Sequence, residues 1–120
     1  MLDPLKIKTP AIRSFIRRQG RITPGQQFAL EQWWGKYGLS YEKPLEAMSI
    51  FGRQAPLIVE IGFGNGQALA EMARVNSEQD YIGIEVHRPG VGHLLLDLEN
   101  TQTHNVRVYC HDAIEILSEK

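Results

Sequence analysis

The chain has 120 residues, 42% hydrophobic and 22% charged, with a formal net charge of −1, a composition typical of one globular domain. No apolar run approaches the roughly 18 to 20 residues needed to span a bilayer, and residues 1–10 lack the apolar core of a signal peptide. The single cysteine, Cys110, excludes an internal disulfide, and together these features predict a cytoplasmic protein with no membrane contact.

Basic side chains are concentrated at the amino terminus. Residues 1–21 contain one acidic side chain and six basic ones, namely Lys6, Lys8, Arg13, Arg17, Arg18 and Arg21. A polyanion would meet this end of the chain first, which makes residues 1–22 a candidate nucleic-acid-binding arm. A solvated tail is the alternative, because short basic runs are common in such tails.

Residues 23–54 are predicted to form a helix followed by a linker with at most one helical turn. Thr23-Pro24-Gly25-Gln26 has the pattern of a capping box, so the helix is expected to begin there. One apolar stripe follows at helical spacing: Leu30, Trp33, Trp34 and Tyr37. Packing against the domain is the favoured role of the tryptophans, with stacking on RNA bases as the alternative. Gly38 is expected to end the helix in the left-handed conformation.

From residue 55 onward strands alternate with helices. The pattern predicts strands at 57–61, 80–85 and 106–110 and helices at 67–75 and 89–100, with Asp112 placed to cap another helix. The apolar run at 57–61 is typical of a strand buried on both faces. This order predicts an α/β fold with a parallel sheet and right-handed crossovers.

Three glycines lie where the first strand becomes a helix, in the segment EIGFGNG at residues 60–66. Glycines there permit a tight turn with positive φ and let a ligand approach the backbone, beside the unpaired N–H groups of a helix start. The spacing is G-x-G-x-G, whereas dinucleotide-binding proteins carry G-x-G-x-x-G. A small polar ligand is predicted to bind at this turn.

One acidic residue is predicted at the carboxyl end of each strand: Glu60, Glu85 and Asp112. The carboxyl ends of parallel strands share one edge of a sheet, so the three carboxylates are expected to face one crevice. Glu85 is placed to accept hydrogen bonds from both ribose hydroxyls of an adenosine, and Asp112 to reach the adenine amino group. Helix capping or simple solvation is the alternative, and it applies most strongly to Asp112.

The sequence resembles the tRNA (guanine-N7)-methyltransferase family, a group of class I S-adenosylmethionine-dependent enzymes, over nearly the whole chain. The matching words, in order, are Ile12-Arg13-Ser14-Phe15 with Arg17-Arg18-Gln19-Gly20-Arg21, the segment 60–66, Gly83-Ile84-Glu85-Val86-His87 with Pro89-Gly90-Val91-Gly92, and Cys110-His111-Asp112-Ala113. The resemblance implies a Rossmann-like methyltransferase fold, S-adenosylmethionine as cofactor and tRNA as partner.

The resemblance also implies roles for individual residues. The implied cofactor-binding residues are Glu60 near the methionine end, Gly62, Gly64 and Gly66 in the turn, Glu85 at the ribose and Asp112 near the adenine. The implied RNA-binding residues are Arg13, Arg17, Arg18 and Arg21. Residues 55–120 then form the first half of the S-adenosylmethionine-binding domain, after the arm at 1–22 and the helix and linker at 23–54.

The family pattern continues beyond the present chain, into a fourth strand with a Pro-Asp-Pro-Trp loop and a later Thr-Asp segment. None of these occurs before Lys120, so no catalytic residue is assigned and the truncated chain by itself is expected to be inactive. Without a fourth strand the first strand becomes a bare apolar edge, which predicts aggregation or dimerisation. The sequence leaves the oligomeric state and the modified tRNA position open.

Two other classes of function are compatible with parts of the pattern. A nicotinamide-dependent oxidoreductase would share the glycine turn and Glu85, but it would show the longer glycine spacing. A non-catalytic RNA- or protein-binding fragment would share the basic arm. No metal site is expected, because no zinc-binding spacing is found among His87, His93, His104, Cys110 and His111.

Overall fold

A computed structural model describes residues 21–119. Its elements in chain order are α1 Pro24–Tyr37, α2 Ala47–Phe51, β1 Leu57–Ile61, α3 Gln67–Val75, β2 Asp80–Ile84, α4 Arg88–Thr101, β3 Val106–Tyr109 and α5 Ala113–Glu119. The predictions for Arg13, Arg17 and Arg18 lie outside the described residues. None of the helices within 21–119 combines the length and the apolar character that crossing a bilayer requires.

The three strands form one parallel sheet in the order β1-β2-β3. Leu57 pairs with Asp80, and Tyr81 pairs with Val106, so the carboxyl ends of all three strands reach the same edge. Helices α3 and α4 provide the crossovers. The predicted α/β class and the partial parallel sheet are confirmed, and β1 lies at the edge of the sheet as expected.

Apolar side chains fill both faces of the sheet. On one face, α1, α3 and α4 pack over Tyr81, Val106 and Val108. Helix α4 contributes the largest share to this layer, with four fully buried side chains: Val91, Leu94, Leu95 and Leu98. Each such burial stabilises the fold by roughly 1.5–3 kcal/mol before conformational entropy is subtracted. On the other face, α5 and the linker after α1 cover Ile82, Ile84 and Tyr109.

Helix α1 begins as predicted but ends differently. The capping box is formed, since the Gln26 N–H donates to Thr23 Oγ1 at 3.1 Å and the Thr23 N–H donates to Gln26 Oε1 at 2.9 Å. The left-handed conformation expected for Gly38 is wrong, because its φ of −83° and ψ of 150° are extended. Gly38 instead forms a parallel bridge with Val108, and a Cβ atom there would collide with the Trp34 ring. The glycine is therefore needed for a close approach.

The burial expected for β1 on both faces is not observed. Val59 is 43% exposed and Ile61 is 52% exposed. The physical reason is the position of β1, which pairs with β2 on one side and with no other strand among residues 21–119. This exposure agrees with the bare apolar edge that the sequence predicts for β1 when no strand pairs on its other side. A smaller difference occurs at the end of α4, which Gln102, not Asn100, terminates in a left-handed conformation.

Candidate functional site

The glycine turn, residues 62–66, connects β1 to α3. Gly62, Gly64 and Gly66 all have positive φ, at 68°, 66° and 81°, a conformation that other residues adopt only with strain. The Gly62 N–H donates to the Ile84 carbonyl at 2.7 Å, which ties the turn to the end of β2. Apart from the adjoining residues of the chain, no atom of residues 21–119 lies within 4 Å of where a Cβ atom of Gly62 or Gly64 would be. The turn thus leaves open space where a ligand can meet its backbone.

Glu85 follows β2 directly and contacts the glycine turn. Its Oε1 accepts a hydrogen bond from the Gly64 N–H at 2.8 Å. Its Oε2 accepts two more, from the Val86 and His87 N–H groups, both at 3.2 Å. The structure therefore brings Glu85, one of the three predicted carboxylates, into contact with Gly64 of the turn, although the two residues are 21 positions apart in the chain.

The start of α4 supports the same turn from another side. A Cβ atom at Gly90 would overlap the Gly64 carbonyl, so the helix backbone and the turn are in direct contact. His93 Nδ1 lies 3.0 Å from the Asn65 carbonyl oxygen. A carbonyl oxygen only accepts, so Nδ1 carries the proton and donates. Sequence reasoning considered His93 only as a metal ligand, and no periodic signal pointed to this contact.

The other two predicted carboxylates differ in their surroundings. Glu60 is half-buried at the carboxyl end of β1, in register with Gly83 of β2. Asp112 is exposed, and its Oδ1 accepts from the Ile114 N–H at 2.8 Å, which caps α5. The capping role considered for Asp112 is thus observed, and its contact with an adenine stays a prediction.

Cys110 and His111 follow β3 near this edge. Burial raises the pKa of the Cys110 thiol, with Glu85 adding to the rise and Arg88 opposing it, so the thiol stays protonated at neutral pH and is no nucleophile. The His111 ring stacks on Tyr41 with a centroid distance of 4.1 Å, and its Nε2 lies 2.6 Å from Glu115 Oε1. These contacts join the linker after α1 to α5. Residues 21–119 contain no cluster of three or more metal-ligating side chains.

Arg21 is the one predicted RNA-binding arginine within the described range. It is exposed and lines a hollow of about 350 Å³ between the start of α1, the glycine turn and the start of α4. Asn65 and His93 line the same hollow. A larger hollow of about 600 Å³ lies at the amino ends of the strands, and none of the predicted site residues within 21–119 lines it.

The sequence of the chain is similar to those of known proteins. A family model described as "Putative methyltransferase" matches residues 54–120. A tRNA (guanine-N(7)-)-methyltransferase of Alkalilimnicola ehrlichii is 56% identical over 110 residues, covering 89% of this chain and 46% of the relative. The protein of the same name from Methylococcus capsulatus is 54% identical over 119 residues, covering 98% of this chain and 52% of the relative.

The chain spans about half the length of the curated relatives it matches. Among solved structures, "The structure of PKMT2 from Rickettsia typhi" aligns with a TM-score of 0.42 and 20% identity, covering 61% of this chain and 16% of that chain. A similarity of that size carries no argument about fold or function.

Proposed function

The chain belongs to the methyltransferase family whose model it matches, and we propose that it carries the S-adenosylmethionine-binding part of a tRNA (guanine-N7)-methyltransferase. The contact between the Gly64 N–H and Glu85 Oε1 is the observation that carries this proposal. It joins a turn open to a ligand with a carboxylate at the carboxyl edge of a parallel sheet, where ligands of open α/β sheets bind.

The residues at this edge fit the parts of S-adenosylmethionine. Glu85 accepts the ribose hydroxyls, because a carboxylate offers about four acceptor positions and three N–H donors leave part of that capacity free. Gly62, Gly64 and Gly66 let the ligand lie against the backbone of the turn. Glu60 lies toward the methionine end, and Asp112 lies toward the adenine.

Methyl transfer to N7 of guanine requires little acid–base chemistry from the protein. S-adenosylmethionine supplies a methyl group on a sulfonium, and the N7 lone pair carries no proton at neutral pH. The chain's residues therefore bind and orient the donor, and the protonated Cys110 thiol takes no covalent part. This chemistry fits a site built from carboxylates and backbone N–H groups.

The substrate side of the proposal rests on the basic arm, residues 1–22. Arg13, Arg17, Arg18 and Arg21 bind tRNA phosphates, while 23–54 forms the helix and linker that join the arm to the methyl-donor domain at 55–120. The exposure of Arg21 beside the glycine turn supports this arrangement. A tRNA substrate also supports a cytoplasmic location.

Calorimetric titration tests the identity of the ligand. We expect the chain to bind S-adenosylmethionine and not NAD, and Glu85→Ala to abolish this binding, because the variant loses the acceptor for the ribose. Glu78→Ala is the matched control, since Glu78 is exposed and precedes β2, at the end of the strand opposite to Glu85. Binding of NAD in preference to S-adenosylmethionine, or unchanged affinity in Glu85→Ala, would contradict the proposal.

Salt-dependent tRNA binding tests the arm. Replacing Arg13, Arg17, Arg18 and Arg21 by glutamine is expected to weaken tRNA binding. The slope of log affinity against log salt should fall by about one for each phosphate that the arm no longer neutralises. Replacing Lys43 and Arg74, which lie outside the arm, serves as the control. If the control substitutions weakened tRNA binding as much as the arm substitutions did, the arm would have no special role in binding tRNA.

A further inference from the structure

We infer that Glu85 and His93 are positioning residues that fix the glycine turn in its ligand-binding shape before any ligand arrives. The inference rests on the proposed function only for the identity of the ligand. Its basis is that the segment 85–93 contacts the turn at three backbone groups: the Gly64 N–H, the Gly64 carbonyl and the Asn65 carbonyl.

The turn needs such support because of its own composition. Gly62 and Gly64 have positive φ, and among the described residues no side chain packs within 4 Å of the side where a Cβ atom of either glycine would be. Glycine has more accessible backbone conformations than any other residue and loses the most entropy when it is fixed. A turn held only by its own residues would sample several shapes, and a ligand would then bind with lower affinity.

Glu85 restrains the turn through its carboxylate. The bond from the Gly64 N–H to Oε1 is 2.8 Å long, a length typical of hydrogen bonds to a charged acceptor. The Val86 and His87 N–H groups orient the same carboxylate through Oε2. Because Glu85 is already held toward the turn, it does not need to move to meet a ribose.

His93 restrains the turn one residue further on. Its Nδ1 donates to the Asn65 carbonyl at 3.0 Å from a position on α4, a helix whose neighbouring side chains are buried. Both the neutral Nδ1–H tautomer and the imidazolium can donate this bond, so protonation of His93 does not release the turn. Gly90 lets α4 approach closely enough for the bond to form, since a Cβ atom there would overlap the Gly64 carbonyl.

The test for His93 measures the affinity for S-adenosylhomocysteine by calorimetry. His93→Ala is expected to weaken binding about 3- to 10-fold, the size of one neutral hydrogen bond, without lowering the midpoint of urea unfolding. His93→Asn is expected to recover most of the affinity, because the asparagine amide nitrogen takes the position of Nδ1. His104→Ala, at the opposite end of the sheet, is the control and should bind like the wild type. Unchanged affinity in His93→Ala would overturn the role of His93.

The test for Glu85 separates positioning from direct binding of the ribose. Glu85→Gln is titrated with S-adenosylhomocysteine and with its 2′,3′-dideoxy analogue, which has no ribose hydroxyls. If Glu85 only bound the ribose, the variant and the wild type would bind the analogue equally, and this result would overturn the inference. We expect instead that the variant binds the analogue at least about 3-fold more weakly than the wild type does. This factor corresponds to one weakened hydrogen bond.

Hydrogen exchange of the ligand-free chain distinguishes this inference from the proposed function. The Gly64 amide is expected to exchange at least about 5-fold faster in Glu85→Gln than in the wild type, while the Ala73 amide, further along α3, keeps its rate. The measurement uses no ligand. If S-adenosylhomocysteine failed to bind the wild type, the proposed function would be contradicted. The exchange rate of Gly64 would still test whether Glu85 positions the turn. An unchanged Gly64 rate would overturn the inference.

Discussion

At the scale of single residues, glycines in this chain serve different physical purposes. Gly66 has a φ of 81°, and a Cβ atom there would lie 2.7 Å from Leu94 Cδ1, so both conformation and space require glycine. Gly35 lies inside α1, and apart from the backbone of that helix no atom in the described part of the chain comes within 4 Å of a Cβ position there. An alanine would therefore strain the first position and favour the helix at the second.

Gly66→Ala and Gly35→Ala form a matched pair for testing this difference. Gly66→Ala is expected to destabilise the fold by about 1–3 kcal/mol, because it combines a disfavoured φ with overpacking against α4. Gly35→Ala is expected to stabilise it by up to about 1 kcal/mol. Urea unfolding curves of both variants provide the measurement, and a stabilised Gly66→Ala would show that the turn has another conformation.

At the scale of elements, α1 and α4 are joined by packing and by one polar cluster. The buried Tyr37 donates its hydroxyl proton to Glu99 Oε1 at 2.8 Å, and Lys36 Nζ lies 2.8 Å from the same oxygen. Burial, together with the Glu99 hydrogen bond and charge, raises the pKa of Tyr37 well above its usual value of 10.0. The hydrogen bonds from Lys36 and Tyr37 lower the pKa of Glu99.

The raised pKa of Tyr37 predicts how stability depends on pH. In the unfolded chain this tyrosine ionises near pH 10.0, whereas the folded state keeps its proton, so the stability that it contributes is present below that pH and lost as the pH rises above it. Tyr37→Phe is expected to cost about 1 kcal/mol at about pH 8, because the hydroxyl hydrogen bond is missing, and less at higher pH. Urea unfolding at several pH values checks this. A cost that stayed constant from about pH 8 to about pH 11 would contradict it.

At the scale of the whole molecule, the exposed edge strand β1 is expected to control self-association. Its outward N–H and C=O groups have no strand partner among the described residues, and its apolar side chains are partly exposed. Edges of this kind pair readily with other chains. We therefore expect the chain to associate as its concentration rises.

Val59→Lys tests whether the edge is responsible. A charge at the centre of β1 is expected to lower the associated fraction in sedimentation velocity, because pairing would bury it. Val75→Lys is the control, since Val75 is 79% exposed on α3 and outside the strand edge. Equal effects of both variants would indicate general hydrophobic association. A wild type that stays monomeric at high concentration would contradict the expectation that the chain self-associates.

Local patterns in the sequence were enough to predict most elements. The capping box at Thr23, the apolar run at Leu57–Ile61 and the spacing of leucines in α4 each depend on residues close to each other in the chain. The parallel order of the strands followed from alternation of strand and helix. The same local reasoning gave the wrong conformation for Gly38, because its extended backbone is set by pairing with Val108, which is distant in sequence.

By itself, the sequence determined the order of elements, the glycine turn and the edge of the sheet at which the acidic residues lie, since these follow from backbone preferences and strand direction. Only the tertiary structure decided which groups hold the turn. The hydrogen bond from the Gly64 N–H to Glu85 and the one from His93 to the Asn65 carbonyl join segments 21 and 28 residues apart. The His93 bond depends on how closely α4 packs on the turn, a distance that Gly90 permits but that no local pattern specifies.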